Sequence, residues 1–346
     1  MGVRGSPGGR ACLRVVEPPH IFQLVLRHYG GKLAAVRSRL RWREQGERAT
    51  KYFCRLEQVR GSDSAMHVVL GDNGSLITSP EGIADRAATF YKRLYTRDDP
   101  IDPAAQATLL ACMDEDRLLD ATEAEACDSD ITLDELTAAM QRAPGNRCPG
   151  LDGIPVDFYR AFWGLLGLPL LCVLREALTE GELPQSMRVG AIRLLFKKGD
   201  RRDLRNWRPL TMLCADYKLL SSVLNARIAR VANKLIYPEQ TGFIKGRHIG
   251  ENILLAQAVI DSFDEGAIIL SDQEKAYDRV DWSFVTAALE RMGFGPAFVK
   301  GVATLYNHSA SRVVVNGWIS ESFLLGRSVR QGDPLSPLLT TLWTIF

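Results

Sequence analysis

The sequence predicts an α+β fold with a helical N-terminal extension. Helix-capping signals and helical periodicity dominate the first half of the chain, whereas the second half alternates strand-like apolar runs with amphipathic helices. The composition, with 46% hydrophobic and 24% charged residues, is that of a globular protein, and it excludes collagen-like, fully disordered and disulfide-scaffold classes. No internal repeat is evident, so the chain is not expected to be a repeat array.

Two helix starts stand out in the first half. Ser79-Pro80 places an N-cap residue before a proline in the first turn, which predicts a helix that runs to about Tyr95. Thr132 and Glu135 have the spacing of a capping box and predict a helix to about Arg142.

The second half has the clearest patterns. Asn316-Gly317 separates two apolar runs and favours the type I′ turn of a β-hairpin over residues 312–319. The other predicted elements are a strand at 191–196, an amphipathic helix with the apolar face Leu220, Leu224, Ile228, Val231 and Leu235, a buried strand at 267–271, a helix from Asp281 to about Met292, and a final helix from about Ser336.

The charges are segregated although the net charge is only +2. Fourteen basic and four acidic residues lie between positions 188 and 247, whereas thirteen acidic and two basic residues lie between 97 and 135. A solvated basic face would explain the first region, but such a density of basic residues is more typical of a protein that binds nucleic acid.

The remaining composition indicates an intracellular protein that does not bind a membrane; nucleus and cytoplasm cannot be distinguished. The seven cysteines are widely spaced and form no CxxC pair, so reduced thiols are expected and a structural zinc site is disfavoured. The longest apolar run, residues 161–174, is too short to cross a bilayer and is predicted to be a buried helix and turn. The oligomeric state is not indicated.

Asp272 is the candidate for metal chemistry. It directly follows the predicted buried strand, and a carboxylate at the carboxyl end of such a strand lies at the rim of a sheet, where ligands bind. Carboxylate oxygens are natural ligands of Mg²⁺. Strand-terminal aspartates also commonly cap the next turn, so this position alone leaves a structural role open.

Several blocks in the same order along the chain resemble the reverse transcriptase of non-LTR, LINE-type retrotransposons. The Gly/Pro/Arg-rich residues 1–20 are expected to be a disordered tail. The resemblance implies a right-hand polymerase fold, with a helical linker and acidic connector at 21–135, and fingers with a partial, truncated palm at 136–346. The blocks are Cys148-Pro-Gly-Leu-Asp-Gly-Ile-Pro155, Phe196-Lys-Lys-Gly-Asp200, Asn206-Trp-Arg-Pro-Leu210, Asp216-Tyr-Lys218, Gln240-Thr-Gly-Phe-Ile-Lys-Gly-Arg247, Asp272-Gln-Glu-Lys-Ala-Tyr-Asp278 and Arg330-Gln-Gly-Asp-Pro-Leu-Ser-Pro337.

The resemblance implies an RNA-directed DNA polymerase that binds an RNA template, a DNA primer and deoxynucleoside triphosphates. Asp272 corresponds to the first catalytic, metal-binding aspartate, and the carbonyl of Gln273 would also contact a metal, Mg²⁺ or Mn²⁺. Two-metal chemistry requires carboxylates that bridge both ions. Asp278 and Glu274 are expected to be structural.

The nucleotide-binding residues are also implied by the resemblance. Tyr277 corresponds to the residue beneath the incoming sugar, with a core aromatic as the alternative. The triphosphate would be bound by Arg208 together with either Lys197 or Lys198, a choice that the sequence leaves open. Gln331 and Gly332 correspond to the turn that lines the nucleotide and template pocket.

One block of the family does not occur in the sequence. The Tyr/Phe-Ala-Asp-Asp block is expected after the helix that follows Gln331-Gly332, but the sequence reaches only Phe346. We therefore expect a truncated reverse transcriptase that is inactive alone. The alternative is a non-catalytic nucleic-acid-binding fragment or a pseudogene relic, and the reading frame downstream of the Phe346 codon would discriminate between a truncated gene and a relic.

Overall fold

The computed structural model describes residues 65–97, 101–262, 269 and 271–343, and these residues confirm a mixed helix and sheet structure. The predictions for the tail, for the linker up to residue 64 and for most of the strand at 267–271 concern residues outside the described ranges. The described strands are β1 Val69–Leu70, β2 Leu76–Ile77, β3 Val189–Phe196, β4 Trp207–Met212, β5 Ala310–Val315, β6 Trp318–Ile319 and β7 Phe323–Leu324. The described helices are α1 Pro80–Tyr95, α2 Pro103–Ala111, α3 Ala121–Asp128, α4 Leu133–Arg142, α5 Val156–Ala161, α6 Trp163–Glu180, α7 Gln185–Arg188, α8 Ala215–Leu235, α9 Ile249–Ser262, α10 Trp282–Arg291, α11 Pro296–Tyr306 and α12 Ser336–Trp343.

The predicted capping signals and the predicted hairpin are confirmed. The Thr132 side chain accepts from the backbone N–H of Glu135 at the start of α4, and the Glu135 side chain accepts from the backbone of Thr132. Strands β5 and β6 pair antiparallel, and Asn316 and Gly317 have φ values of 51° and 84° between them, which suits a type I′ turn. The main sheet has the strand order β4-β3-β5-β6, with β7 also paired to β5.

The chain divides into two compact units. The described part of the first consists of residues 65–91, Ala191–Leu210 and Arg312–Phe323. Within it, the Tyr91 hydroxyl donates to the carbonyl of the fully buried Trp207 over 3.2 Å. The side-chain amide of Asn316 makes two hydrogen bonds with the backbone of Met66, one donated by the Met66 N–H at 3.1 Å and one accepted by its carbonyl at 2.7 Å.

The described part of the second unit consists of residues 92–97, 101–190, 211–262, 269, 271–311 and 324–343, and it is built around α8. The predicted apolar face of α8 is buried as expected. Arg227 on the same helix is 3% exposed, and its guanidinium forms a bidentate pair with Glu135 at 2.8 and 2.7 Å. It also donates to the carbonyls of Cys127 at 2.8 Å and Asp130 at 3.0 Å, so one cation joins the ends of α3 and α4 to α8.

The interpretation of residues 161–174 as a buried helix and turn is wrong for one helix face. Residues 163–174 belong to α6, which continues through Pro169, and Leu165 and Leu168 remain 75% and 61% exposed. Only the face with Leu171 and Leu174 packs into the core. An apolar run reveals no periodicity, so the sequence could not show which side of the helix faces water. None of the described helices is both long and apolar enough to cross a membrane.

Candidate functional site

Asp272 lies in a short exposed segment that leads into a turn at residues 274–279. Asp272 and Gln273 are both exposed, and the backbone of the turn then closes by a hydrogen bond from the Asp278 N–H to the Lys275 carbonyl at 2.9 Å. Lys275 adopts a left-handed φ of 58°, which allows the chain to reverse sharply here. The carboxylate of Asp272 is therefore accessible to a ligand.

The turn that follows Asp272 runs beside the segment that leads into Gln331. The N–H of Val329 donates to the Tyr277 carbonyl at 3.0 Å, and the N–H of Ser328 donates to the Val280 carbonyl at 2.8 Å. Two blocks that are about fifty residues apart in sequence are thereby placed side by side. The structure thus brings together two of the predicted nucleotide-binding residues, Tyr277 and Gln331.

Gln331 and Gly332 form a turn that hydrogen bonds of Gln331 and of its neighbours hold in place. The Gln331 carbonyl accepts from the Thr211 N–H at 2.7 Å, and Gly332 is exposed with a φ of 107°, a conformation that side chains disfavour. On one side, the buried Arg330 donates from Nη2 to the Arg188 carbonyl at 2.8 Å. On the other, the buried Asp333 carboxylate accepts from the Ser221 hydroxyl, and burial raises the pKa of Asp333 to about 6.

Tyr277 is half-buried and packs against the hydrophobic core of its unit. Burial raises the pKa of its phenol, and a hydrogen bond with Thr340 on α12 opposes this effect. This arrangement is compatible both with contact to a sugar and with the core aromatic that the sequence left open, so the nucleotide role of Tyr277 stays a prediction.

Asp278, which the sequence indicated to be structural, lies between these segments and is 1% exposed. Its Oδ1 accepts from the Tyr95 hydroxyl at 3.2 Å and from Nε2 of Gln331 at 3.5 Å. Burial raises the pKa of Asp278 to about 6, while the nearby Lys275 and Arg279 lower it. Sequence reasoning missed the contact of Asp278 with Gln331. The only sequence signal for it was that Asp278 directly follows the candidate residue Tyr277.

The predicted triphosphate-binding residues lie in the other unit, on the hairpin between β3 and β4, which we call the basic hairpin (residues 197–208). Lys197, Lys198 and Arg208 are exposed there. Alternation along β4 places Arg208 on the exposed face, opposite to the buried Trp207 and Pro209. The hairpin is closed by a hydrogen bond from the Lys197 N–H to the Asn206 carbonyl at 2.9 Å.

Two arginines of the basic hairpin are already paired with carboxylates. Arg202 binds Asp200 through Nε at 3.0 and 3.1 Å and through Nη2 at 2.8 Å. Arg205 binds Asp203 in the same manner at 3.1, 2.9 and 2.7 Å. These side-chain hydrogen bonds hold the pKa values of both carboxyls below their usual range. The effective positive charge is therefore smaller than the count of basic residues indicates.

Three described side chains bring potential metal-ligand atoms close together. The group whose ligand atoms converge is Asp152, Cys214 and Asp216, within 4.8 Å of one another. Burial and the neighbouring carboxylates raise the pKa of Cys214 to about 12, so its thiol is protonated in this structure. Asp272 belongs to no such group among the described residues. One exposed carboxylate does not fit the donor set of a two-metal centre.

Comparisons with known proteins give a consistent result. Residues 196–344 match the family described as reverse transcriptase (RNA-dependent DNA polymerase). The chain is 36% identical over 313 residues to the transposon TX1 uncharacterized 149 kDa protein of Xenopus laevis, a match that covers 89% of this chain and 24% of that protein. It is 28% identical over 219 residues to the retrovirus-related Pol polyprotein from the type-2 retrotransposable element R2DM of Drosophila melanogaster, covering 62% of this chain and 20% of that protein. The matches therefore span about a quarter of these relatives or less.

Proposed function

We propose, from the reverse transcriptase domain at residues 196–344 and from the similarity of the chain to non-LTR retrotransposon proteins, that this chain supplies the fingers and the first part of the palm of a right-hand RNA-directed DNA polymerase. The preceding residues would form its helical N-terminal extension. The partners would be an RNA template, a DNA primer and deoxynucleoside triphosphates.

One observation carries the proposal. The turn that follows Asp272 and the segment that leads into Gln331 and Gly332 lie side by side, because Tyr277 and Val280 accept backbone hydrogen bonds from Val329 and Ser328. A reacting nucleotide needs a metal-binding carboxylate and a close backbone approach in one place. An unrelated basic protein would have no reason to assemble both.

Each residue has a distinct role in this proposal. Asp272, with the carbonyl of Gln273, would hold a divalent cation, Mg²⁺ or Mn²⁺, which neutralises the charge of the transferring phosphate when further carboxylates complete the site. Arg208 with Lys197 or Lys198 would bind the triphosphate oxygens. The remaining contacts, to the sugar and to the base pair, would come from the Tyr277 ring and from the Gln331-Gly332 turn.

We also propose that residues 1–346 alone do not polymerise, since one carboxylate cannot hold two cations and a phosphate between them. In a primer-extension assay on poly(rA) with Mg²⁺ or Mn²⁺, the chain should give no more product than its Asp272→Ala variant. A chimera in which the chain is continued by the Tyr/Phe-Ala-Asp-Asp block and the following residues of an active non-LTR reverse transcriptase should extend primers, and Asp272→Ala should abolish this activity. Extension by residues 1–346 that depends on Asp272 would contradict the inactivity, and an inactive but folded chimera would contradict the polymerase assignment.

The second candidate function is nucleic-acid binding without catalysis. The exposed basic residues of the basic hairpin favour it, because phosphate contacts do not require Asp272. Under this function, Asp272→Ala would leave the affinity for an RNA–DNA duplex unchanged, and the chimera would bind the duplex without extending the primer.

A further inference from the structure

The carboxamide of Gln331 presents either a donor or an acceptor to a ligand, depending on which way it is turned. One end carries two N–H donors and the other an acceptor oxygen. Its orientation is set by neighbouring hydrogen-bonding groups. Gln331 is partly exposed, so one end of the amide can face a bound molecule while the other faces the protein.

The group on the protein side is the buried carboxylate of Asp278. Its Oδ1 lies 3.5 Å from Nε2 of Gln331 and 3.2 Å from the Tyr95 hydroxyl. An ionised carboxylate only accepts hydrogen bonds, so it selects the donor end of the amide. Among the hydrogen bonds of the described residues, none is donated to Oε1 of Gln331.

We propose that Asp278 is a positioning residue that holds the Gln331 carboxamide with Nε2 toward the buried carboxylate and Oε1 toward the nucleotide. This inference rests on the proposed function, in which Gln331 lines the nucleotide pocket. The pocket then offers an acceptor, which recognises a hydroxyl or amino group of the incoming nucleotide.

Burial and the local charges make this orientation dependent on pH. Asp278 faces the Tyr95 hydroxyl from α1, the Gln331 amide from the adjoining turn, and the cations Lys275 and Arg279 of its own turn. With a pKa raised by burial to about 6, the carboxyl becomes protonated below that pH and can donate to Oε1, which removes the preference for one amide orientation. The positioning is thus complete above the pKa and lost below it.

The first test uses the full chain with ¹⁵N-labelled glutamine side chains. The Gln331→Met variant identifies the Gln331 amide signal by its disappearance. We expect this signal to move with pH around a midpoint of about 6, and the movement to vanish in Asp278→Asn. Glu321→Ala removes an exposed carboxylate from another part of the chain and should leave the midpoint unchanged. A Gln331 signal that ignores pH, or that titrates equally in Asp278→Asn, would overturn the proposal.

The second test adds an RNA–DNA template–primer and the Mg²⁺ complex of dTTP to the same labelled chain. The Gln331 signal should respond to nucleotide, and Asp278→Asn should raise the half-saturating concentration by up to about tenfold, the worth of one hydrogen bond. If the signal titrates with Asp278 but does not respond to nucleotide, the nucleotide role of Gln331 fails. If nucleotide binds equally well to both proteins, Asp278 does not position the amide for it. Neither outcome depends on polymerisation, so failure here is distinguishable from failure of the polymerase assignment.

Discussion

The pairing of Arg202 with Asp200 and of Arg205 with Asp203 leads to a specific expectation for nucleic-acid binding. A phosphate that approaches either guanidinium must compete with a bidentate carboxylate already in place. Replacing both aspartates by asparagine should therefore strengthen binding of an RNA–DNA duplex. Asparagine retains the oxygen that accepts from the backbone N–H two residues on, at 2.9 Å in both turns, so the hairpin should keep its shape.

The size of the effect follows from counterion release. The basic hairpin carries six basic and two acidic residues, a net charge of +4. Each guanidinium that exchanges its carboxylate for a phosphate contact steepens the slope of log K against log salt by about 0.9, so the double variant should be steeper by up to about 1.8. Adding Arg202→Ala and Arg205→Ala to this variant should return the slope to the wild-type value or below it.

Fluorescence anisotropy of a labelled RNA–DNA duplex, measured at salt concentrations from about 50 to 200 mM, gives these slopes directly. Asp134→Asn combined with Glu125→Gln is the matched control, since it also removes two negative charges, from exposed positions on α4 and α3. Equal slopes for the wild type and the double variant would refute the reasoning. A control that steepens the slope as much would show that overall charge, and not the freed arginines, is responsible.

Three further predictions concern stability, measured by urea unfolding. Arg227→Met should lower the free energy of unfolding by about 3–5 kcal/mol, because it leaves a carboxylate and several carbonyls unpaired, and a loss below about 1 kcal/mol would contradict the buried network. Gly150→Ala would place its Cβ 2.5 Å from the backbone nitrogen of Cys214 and should lower the free energy of unfolding by about 1–3 kcal/mol. The Cβ of Gly164→Ala has no neighbour within 4 Å, so this variant should raise the free energy of unfolding by about 0.4–1 kcal/mol. Equal changes in stability for the two variants would contradict this expectation. Burial and the like charge of Asp152 raise the pKa of Asp216 from 3.8 to about 6, so the folded state binds the proton more tightly and loses stability as the pH rises from about 4 to about 6. Asp216→Asn should reduce this loss of stability and should be more stable than the wild type above pH 6. An unchanged dependence of stability on pH would contradict the burial of this charge.

Local features of the fold were predictable from the sequence because neighbouring residues decide them. The capping box of Thr132 and Glu135 depends on residues three positions apart, and the Asn316-Gly317 turn on two adjacent ones. The strand order of the main sheet could not be predicted in this way, since pairing of β3 with β5 joins segments separated by more than a hundred residues. The exposed face of α6 was also missed, because an apolar run gives no direction.

The same distinction between local and long-range features holds for the candidate site. The block with Asp272 and the block with Gln331 were each visible in the sequence, and the structure places the two turns side by side. The contact between Asp278 and Gln331 was not visible in the sequence, because it joins residues 53 positions apart and no periodic pattern marks it. Counting basic residues also overstated the free charge of the basic hairpin, although Arg202 and Asp200 are only two positions apart. A count of charges does not show which side chains pair with each other.

The hydrogen bonds between Asn316 and Met66 have a consequence for synthesis of the protein. They join residues 250 positions apart, and the first unit is complete only when all three of its segments exist. At a translation rate of about 5–20 residues per second, the earliest segment waits on the ribosome for about 12–50 s before its partner emerges. During that interval Met66 and Val69, which are 3% and 0% exposed in the folded unit, remain in water. We expect chaperones that bind apolar segments of nascent chains to bind this segment during that interval.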